Sequence, residues 1–118
     1  MLESGEMYIE TIFVLKNRKD KVHAIDVATE LGYAKSSVSR ALNILKGKQM
    51  ITIAHNGEID FTEQGRVLAQ EIYERHEILT KFLLSIGLPE DIAENDACRI
   101  EHVISPETVK AIKQTLKN

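Results

Sequence analysis

Between residues 24 and 61 the sequence carries the pattern that most restricts its fold. Ala28, Gly32 and Val38 stand at the spacings of a helix-turn-helix. A small residue is needed where the two helices cross, a glycine can take the left-handed conformation that turns the chain, and a buried β-branched residue anchors the second helix. Beyond them come Met50-Ile-Thr-Ile-Ala54 and Glu58-Ile-Asp-Phe61, with Asn56-Gly57 in between. An Asn-Gly pair flanked by two strand-like runs is the strongest short-range hairpin signal. Gly32 alone would mark any helix end. The three spacings followed by a hairpin predict a winged helix-turn-helix.

The flanking segments read as helices. Tyr8/Ile9, Ile12/Phe13 and Leu15 recur at helical spacing over residues 3–17, and the charged run 17–21 reads as a loop. Helices are predicted over 24–31 and from Lys35 or Ser36 onward, the second with Val38, Ala41/Leu42 and Leu45 inward. Thr62 is placed to cap a long helix over 63–86 with Leu68, Ile72, Leu79 and Phe82/Leu83 as its apolar stripe, and Gly87-Leu-Pro89 ends it. A further helix is expected over about 90–104, and Ser105-Pro106 reads as the cap and first residue of a last one. The expected fold is mainly α: an N-terminal winged helix-turn-helix domain over 1–62, then a helical domain over 63–118.

Charge separates the same two parts. Residues 16–50 hold eight Lys/Arg against three acids, whereas the remainder holds seven against fifteen, so a net charge of −3 conceals a basic module joined to an acidic one. No apolar run approaches the ~18 residues that span a bilayer, so no membrane partner is expected. The single cysteine, Cys98, cannot form an internal disulfide, which suits a reducing cytoplasm. There is no HExxH and no phosphate-cradling glycine loop, and the chain is not expected to be an enzyme.

The basic half suggests a nucleic-acid partner. In a helix-turn-helix the second helix enters the major groove with its N-terminal residues at the base edges. Lys35, Ser36, Ser37, Ser39 and Arg40 occupy those turns. Arg40 can read guanine bidentately, and the serines suit phosphate or mixed contacts. The competing reading is a solvated helix face with a capping serine. The hairpin tip, His55-Asn56-Gly57, is positioned for backbone or minor-groove contact. One such head covers one half-site, so specific binding needs a homodimer on a pseudo-palindromic double-stranded operator, with the helices beyond residue 63 as the pairing surface.

The acidic half holds Asn95-Asp-Ala-Cys-Arg-Ile-Glu-His-Val-Ile-Ser105. Residues three and four apart on a helix share a face, so Cys98, Glu101 and His102 point together and offer S, O and N donors. That is ligand chemistry for a divalent transition metal, and the bland alternative is a buried free thiol beside a surface Glu and His. His76, Met7 and Glu10 taken singly read as a core histidine, a core methionine and a solvated acid.

Several segments together resemble the diphtheria toxin repressor family of iron- and manganese-dependent repressors. They are MYIETIFVL (7–15), the AxxxGxxxxxV core (28–38), FTEQG (61–65), RHEILTKFL (75–83), IGLP (86–89) and NDACRIEHVIS (95–105), in order along nearly the whole chain. The resemblance implies a winged-helix dimer that takes Fe(II) or Mn(II) as corepressor and then binds operators of metal-homeostasis genes. It also implies that residues 63–118 form the dimerisation and metal-binding domain. Met7, Cys98, Glu101 and His102 match the activating metal site of the iron-responsive branch. Glu10 and His76 match second-site ligands of the manganese-responsive branch, sharing Glu101. At the iron branch's ancillary site, Glu94 replaces a histidine and Thr80 stands where a glutamate is expected. The likeness is to a short form without that branch's SH3-like domain.

Met and Cys are softer ligands than the carboxylates of the manganese branch, so Fe(II) is expected first and Mn(II) second. The rival from another class is a metalloenzyme using His76, Glu101 and His102, against which stands the lack of an obvious general base. A second rival is a winged-helix regulator that answers to a small organic ligand or to oxidation of Cys98, with Glu101 and His102 tuning the thiol.

Overall fold

A left-handed turn at Gly32, φ 70°, sets the angle between two helices near the start of the chain. The computed structural model describes residues 3–117, with the backbone alone at Glu3. Its elements are α1 (Glu3–Arg18), α2 (Ala24–Leu31), α3 (Lys35–Gly47), β1 (Ile51–Ile53), β2 (Ile59–Phe61), α4 (Glu63–Ser85), α5 (Glu90–Ile100) and α6 (Pro106–Leu116). The chain divides into two compact units, Met1–Gln70 and Glu71–Asn118.

In the first unit, α1 buries Tyr8, Ile9, Ile12 and Leu15, and packs on α2 and α3. α2 buries Val27 and Ala28, and α3 buries Val38, Leu42 and Leu45. The Gly32 and Tyr33 N–H groups both donate to the Ala28 carbonyl, at 2.9 and 3.2 Å, which closes α2 before the turn. This is the expected helix-turn-helix.

The hairpin follows directly. β1 and β2 pair antiparallel, with Ile51 opposite Phe61 and Ile53 opposite Ile59. The Ala54 N–H donates to the Glu58 carbonyl at 2.9 Å and the Gly57 N–H to the Ala54 carbonyl at 2.8 Å. Gly57 has φ 87° whereas Asn56 does not have positive φ, so the loop is a three-residue turn closed by a glycine bulge. Asn56 contributes through its side chain, whose Oδ1 accepts from the Glu58 N–H at 3.1 Å. Lys16 ties α1 to this wing by donating to the Ile59 carbonyl and to Asp60 Oδ1, at 3.2 and 2.6 Å.

Thr62 caps α4 as expected: its Oγ1 accepts from the Gly65 N–H at 3.0 Å. It also donates to the Gln49 carbonyl at 2.6 Å, fastening α4 to the end of α3. Gly65 is buried, and a Cβ there would overlap the Met50 carbonyl group. The crossing of α4 over the start of β1 therefore requires glycine.

The second unit comprises residues 71–85 of α4 together with α5 and α6, with Ile72, Ile78, Leu79, Ala93 and Ala97 buried. Gly87, φ 99°, closes α4: its N–H donates to Leu84 and that of Leu88 to Leu83, at 3.1 and 3.2 Å. Ser105 caps α6 by accepting from the Thr108 N–H at 3.1 Å, with Pro106 in the first turn. One expectation fails here. The helix expected to reach residue 104 stops at Ile100, and Val103 and Ile104 both donate to the Ile100 carbonyl at 3.0 Å in a tight turn. The Val103 bond tightens the last turn, and Ser105, extended at ψ 153° ahead of Pro106, bars any return to helix.

Candidate metal centre and nucleic-acid interface

The N-cap of α3 is Ala34, with no side-chain cap. Ser36 and Ser37 therefore lie inside the first turn and are not spent on capping, which removes half of the bland reading. Lys35, Ser36, Ser37 and Arg40 are exposed and Ser39 is partly so. Three other cations of this unit are held in ion pairs: Lys16 pairs with Asp60 at 2.6 Å, Arg18 with Glu30 at 3.0 Å and Lys19 with Asp26 at 2.7 Å. Among the described residues, Lys35 and Arg40 hold no carboxylate. The first turns of α3 thus present uncompensated positive charge beside hydroxyl groups, a surface suited to phosphate and base edges. His55 and Asn56 are exposed at the hairpin tip.

Behind that face, Asp26 orders the start of α2. Its Oδ2 accepts from the His23 N–H at 2.8 Å and its Oδ1 from Lys19 at 2.7 Å. The Lys19 hydrogen bond, and then the backbone one, hold its carboxyl below the usual range.

Met7 and Glu10 lie one turn apart on α1, each partly buried. The Tyr33 phenol, in the turn between α2 and α3, points its O–H at Met7 Sδ across 3.9 Å. Tyr33 also meets the Tyr8 ring edge-on at 6.4 Å, and burial pushes the Tyr8 phenol above its ordinary pKa. Sequence reasoning had given Tyr33 no part. An aromatic residue straight after the turn glycine was the available signal.

In the second unit, Cys98 sits near the end of α5, and Glu101 and His102 occupy the turn that follows. They converge nonetheless, because the Glu101 N–H still donates to the Ala97 carbonyl at 2.9 Å and keeps helical phase. One ligand atom from each of Cys98, Glu101 and His102 falls within 4.8 Å of the others. Glu101 is wholly buried and the His102 side chain is 9% exposed, with Nε2 3.3 Å from Glu101 Oε1. Neither of those atoms reaches solvent.

A carboxylate buried so completely is costly unless it is compensated. Here α4 provides the compensation. His76 Nδ1 lies 2.8 Å from Glu101 Oε2, and the neighbouring Arg75 donates to the Glu101 backbone carbonyl at 2.8 Å. That carbonyl would otherwise await an N–H from the broken end of α5. His76 is itself stacked on Tyr73, with ring centroids 6.3 Å apart. Among the described residues, Glu101 is the one polar side-chain partner of His76. Arg75 was missed from the sequence, although it opens the RHEILTKFL segment.

Taken as a donor set, thiol, carboxylate and imidazole around one buried point fit a divalent transition metal far better than a hard, oxygen-preferring ion. The imidazole against the Glu101 carboxylate is the kind of outer partner that orients a ligating carboxylate, while the guanidinium fixes the backbone beneath it.

Comparison with known proteins gives a consistent picture. Residues 1–57 match the iron dependent repressor N-terminal DNA binding domain, and residues 62–118 match the iron dependent repressor metal binding and dimerisation domain. The transcriptional regulator MntR of Escherichia coli O6:H1 is 34% identical over 106 residues, covering 90% of this chain and 68% of that regulator. The iron-dependent repressor IdeR of Mycobacterium tuberculosis is 27% identical over 119 residues, covering 100% of this chain and 52% of that protein. A solved manganese-dependent transcriptional repressor in complex with manganese superposes with a TM-score of 0.87 at 25% identity, over 96% of this chain and 52% of that one. The chain thus spans about two thirds of MntR and about half of the other two. No helix among the described residues is long and apolar enough to cross a membrane.

Proposed function

This chain belongs to the diphtheria toxin repressor family of iron- and manganese-dependent transcriptional repressors, which are not enzymes, and from that premise we propose that it is a metal-activated, cytoplasmic repressor acting as a homodimer. Residues 1–62 would bind a pseudo-palindromic operator of metal-homeostasis genes, and residues 63–118 would pair the protomers and hold the metal. The observation that carries this reading is the convergence of Cys98, Glu101 and His102 within 4.8 Å around a carboxylate with no solvent exposure.

In this proposal Met7 joins Cys98, Glu101 and His102 in the activating site. Glu10 and His76 serve a second site that shares Glu101, a role supported by the 2.8 Å contact of His76 with that carboxylate. A bound ion would supply the positive charge that these donors are suited to share. Fe(II) is the expected corepressor and Mn(II) the alternative, because Met7 and Cys98 are soft donors. Lys35, Ser36, Ser37, Ser39 and Arg40 make the DNA contacts, supported by the exposure and free charge of the first turns of α3.

Regulation follows from linkage. A form of the protein in which all donors face one point gains about 2.7 kcal/mol per site when free metal stands ~100-fold above its dissociation constant, relative to a form that cannot assemble them. If the assembled form is also the one with DNA-competent spacing of the two α3 helices, metal affinity becomes operator affinity.

The test is an anaerobic pull-down of sheared genomic DNA with Fe(II), with Mn(II) and with chelator. Enrichment of palindromic sites only in the metal lanes is expected. Equal enrichment in all three lanes would sink the metal-activated reading while leaving α3 as a DNA reader.

A further inference from the structure

The outward line of α3 continues past Arg40. With Val38, Leu42 and Leu45 buried, the 3.6-residue period puts Ser36, Arg40, Asn43 and Gly47 on the opposite side, one turn after another. Asn43 is exposed, and among the described residues its amide has no hydrogen-bond partner. It borders an open cavity of about 370 Å³ between α3 and the hairpin, beside Lys35, Ser39 and Ile53. Nothing within the fold accounts for an amide at this position.

Gly47 is the second observation. It lies in the last turn of α3 without positive φ, and a Cβ added there would meet nothing within 4 Å. Glycine weakens a helix, and here neither backbone conformation nor packing requires it. This contrasts with Gly65, where the fold leaves no room. An unforced glycine on the outward line leaves space for a body outside the chain to approach the α3 backbone.

We propose that Asn43 is a specificity-determining residue that reads an adenine in the major groove, and that Gly47 lets the duplex come close at the C-terminal end of α3. The inference rests on the proposed docking of α3 into DNA. A side-chain amide offers one acceptor and one donor side by side, the match for adenine N6–H and N7, and no other base edge in the groove presents that pair in the same order. Ser36, Arg40 and Asn43 then address successive positions along one half-site, with the amide deepest into the helix.

The experiment is selection from a randomised duplex library, with Mn(II) present, by the wild-type protein and by Asn43→Ala, Arg40→Ala and Gly47→Ala. Wild type should select an adenine in each half-site that Asn43→Ala no longer requires. Its preference for that adenine over the other bases should fall about tenfold, while preferences at the remaining positions stay. Gly47→Ala should bind the selected duplex more weakly although its thermal midpoint rises.

An Asn43→Ala protein with an unchanged consensus, beside an Arg40→Ala protein that loses binding, would overturn the role of Asn43 and leave α3 as the reader. Uniform weakening on all sequences would make Asn43 a phosphate contact and equally overturn it. A Gly47→Ala protein that binds as wild type would remove the close-approach part. Failure of wild type to select any sequence would remove the DNA-binding reading, and this inference with it.

Discussion

Nδ1 of His76 lies 2.8 Å from Oε2 of Glu101, a side chain with no solvent exposure. Arg75, the residue before it, donates to the Glu101 backbone carbonyl. Two consecutive residues of α4 therefore fix both ends of one glutamate in the turn after α5. A carboxylate positioned in this way loses little freedom when it takes a ligand.

The first prediction concerns this pair. Glu101→Ala should abolish metal-dependent DNA binding while far-UV circular dichroism remains helical. His76→Gln should lower metal affinity by about 10- to 100-fold, whether the imidazole ligates or only orients the carboxylate. Anaerobic titration calorimetry with Mn(II) measures both. A Glu101→Ala protein with wild-type metal affinity would remove Glu101 from the site.

Gly65→Ala tests the crossing of α4 over β1. The added methyl would overlap the Met50 carbonyl, which already accepts the Thr62 N–H at 3.1 Å. That carbonyl cannot withdraw without breaking the α4 cap, so the loss should lie near the top of the overpacking range, about 3 kcal/mol. Urea unfolding of the variant gives the value.

Gln49 offers the opposite case. Its φ of 62° is left-handed, and it follows α3 in a closing turn where Met50 donates to the Leu45 carbonyl at 3.1 Å. A non-glycine residue costs about 1–2 kcal/mol in this conformation, against about 0.5–1 kcal/mol of extra chain entropy for glycine. Gln49→Gly should therefore stabilise the protein by roughly 0.5–1 kcal/mol. An unchanged or lowered midpoint in urea would contradict that.

Asp26 gives a pH dependence with a definite sign. Its carboxyl is held below the ordinary range, first by Lys19 and then by the His23 N–H. Its contribution to stability is thus complete above the ordinary carboxylate pKa and disappears as pH falls through the lowered one. Asp26→Asn should cost about 1 kcal/mol at neutral pH through the weakened α2 terminus. The gap between wild type and variant should close in strongly acidic buffer, as read by denaturation at both pH values.

The legible parts of this fold were those governed by local rules. Gly32, Thr62, Gly87 and Ser105 each close or open a helix where backbone donors and acceptors demand it, and the Asn56-Gly57 hairpin follows from turn geometry. Cys98, Glu101 and His102 could be grouped by helical spacing. What spacing could not show was that α5 ends at Ile100, where the Val103 and Ile104 N–H groups share one carbonyl in a tight turn. The hold of Arg75 on Glu101 was equally hidden, because it joins residues 26 apart. Gly65 and Gln49 carry requirements that only packing and backbone angle reveal.

The last prediction addresses which metal is taken. Cys98 is partly buried, and its sulfur shares the 4.8 Å cluster with Glu101 and His102. In the proposed site it is one of two soft donors, and a carboxylate in its place would present oxygen to the ion. Hard oxygen donors suit Mn(II), whereas thiolate draws preference toward Fe(II) and later transition metals. Cys98→Asp should therefore shift the ratio of Fe(II) to Mn(II) affinity toward Mn(II) by at least about tenfold, since even outer-shell changes move affinity by that much. Anaerobic competition between the two ions, read by metal content after desalting, measures the ratio. The same variant should also lose the thiol-reversible part of any sensitivity of DNA binding to peroxide, because the oxidisable thiol is gone while the Met7 thioether stays. A variant with an unchanged metal ratio but lost thiol-reversible peroxide sensitivity would place Cys98 outside the metal site and favour the redox reading of the thiol.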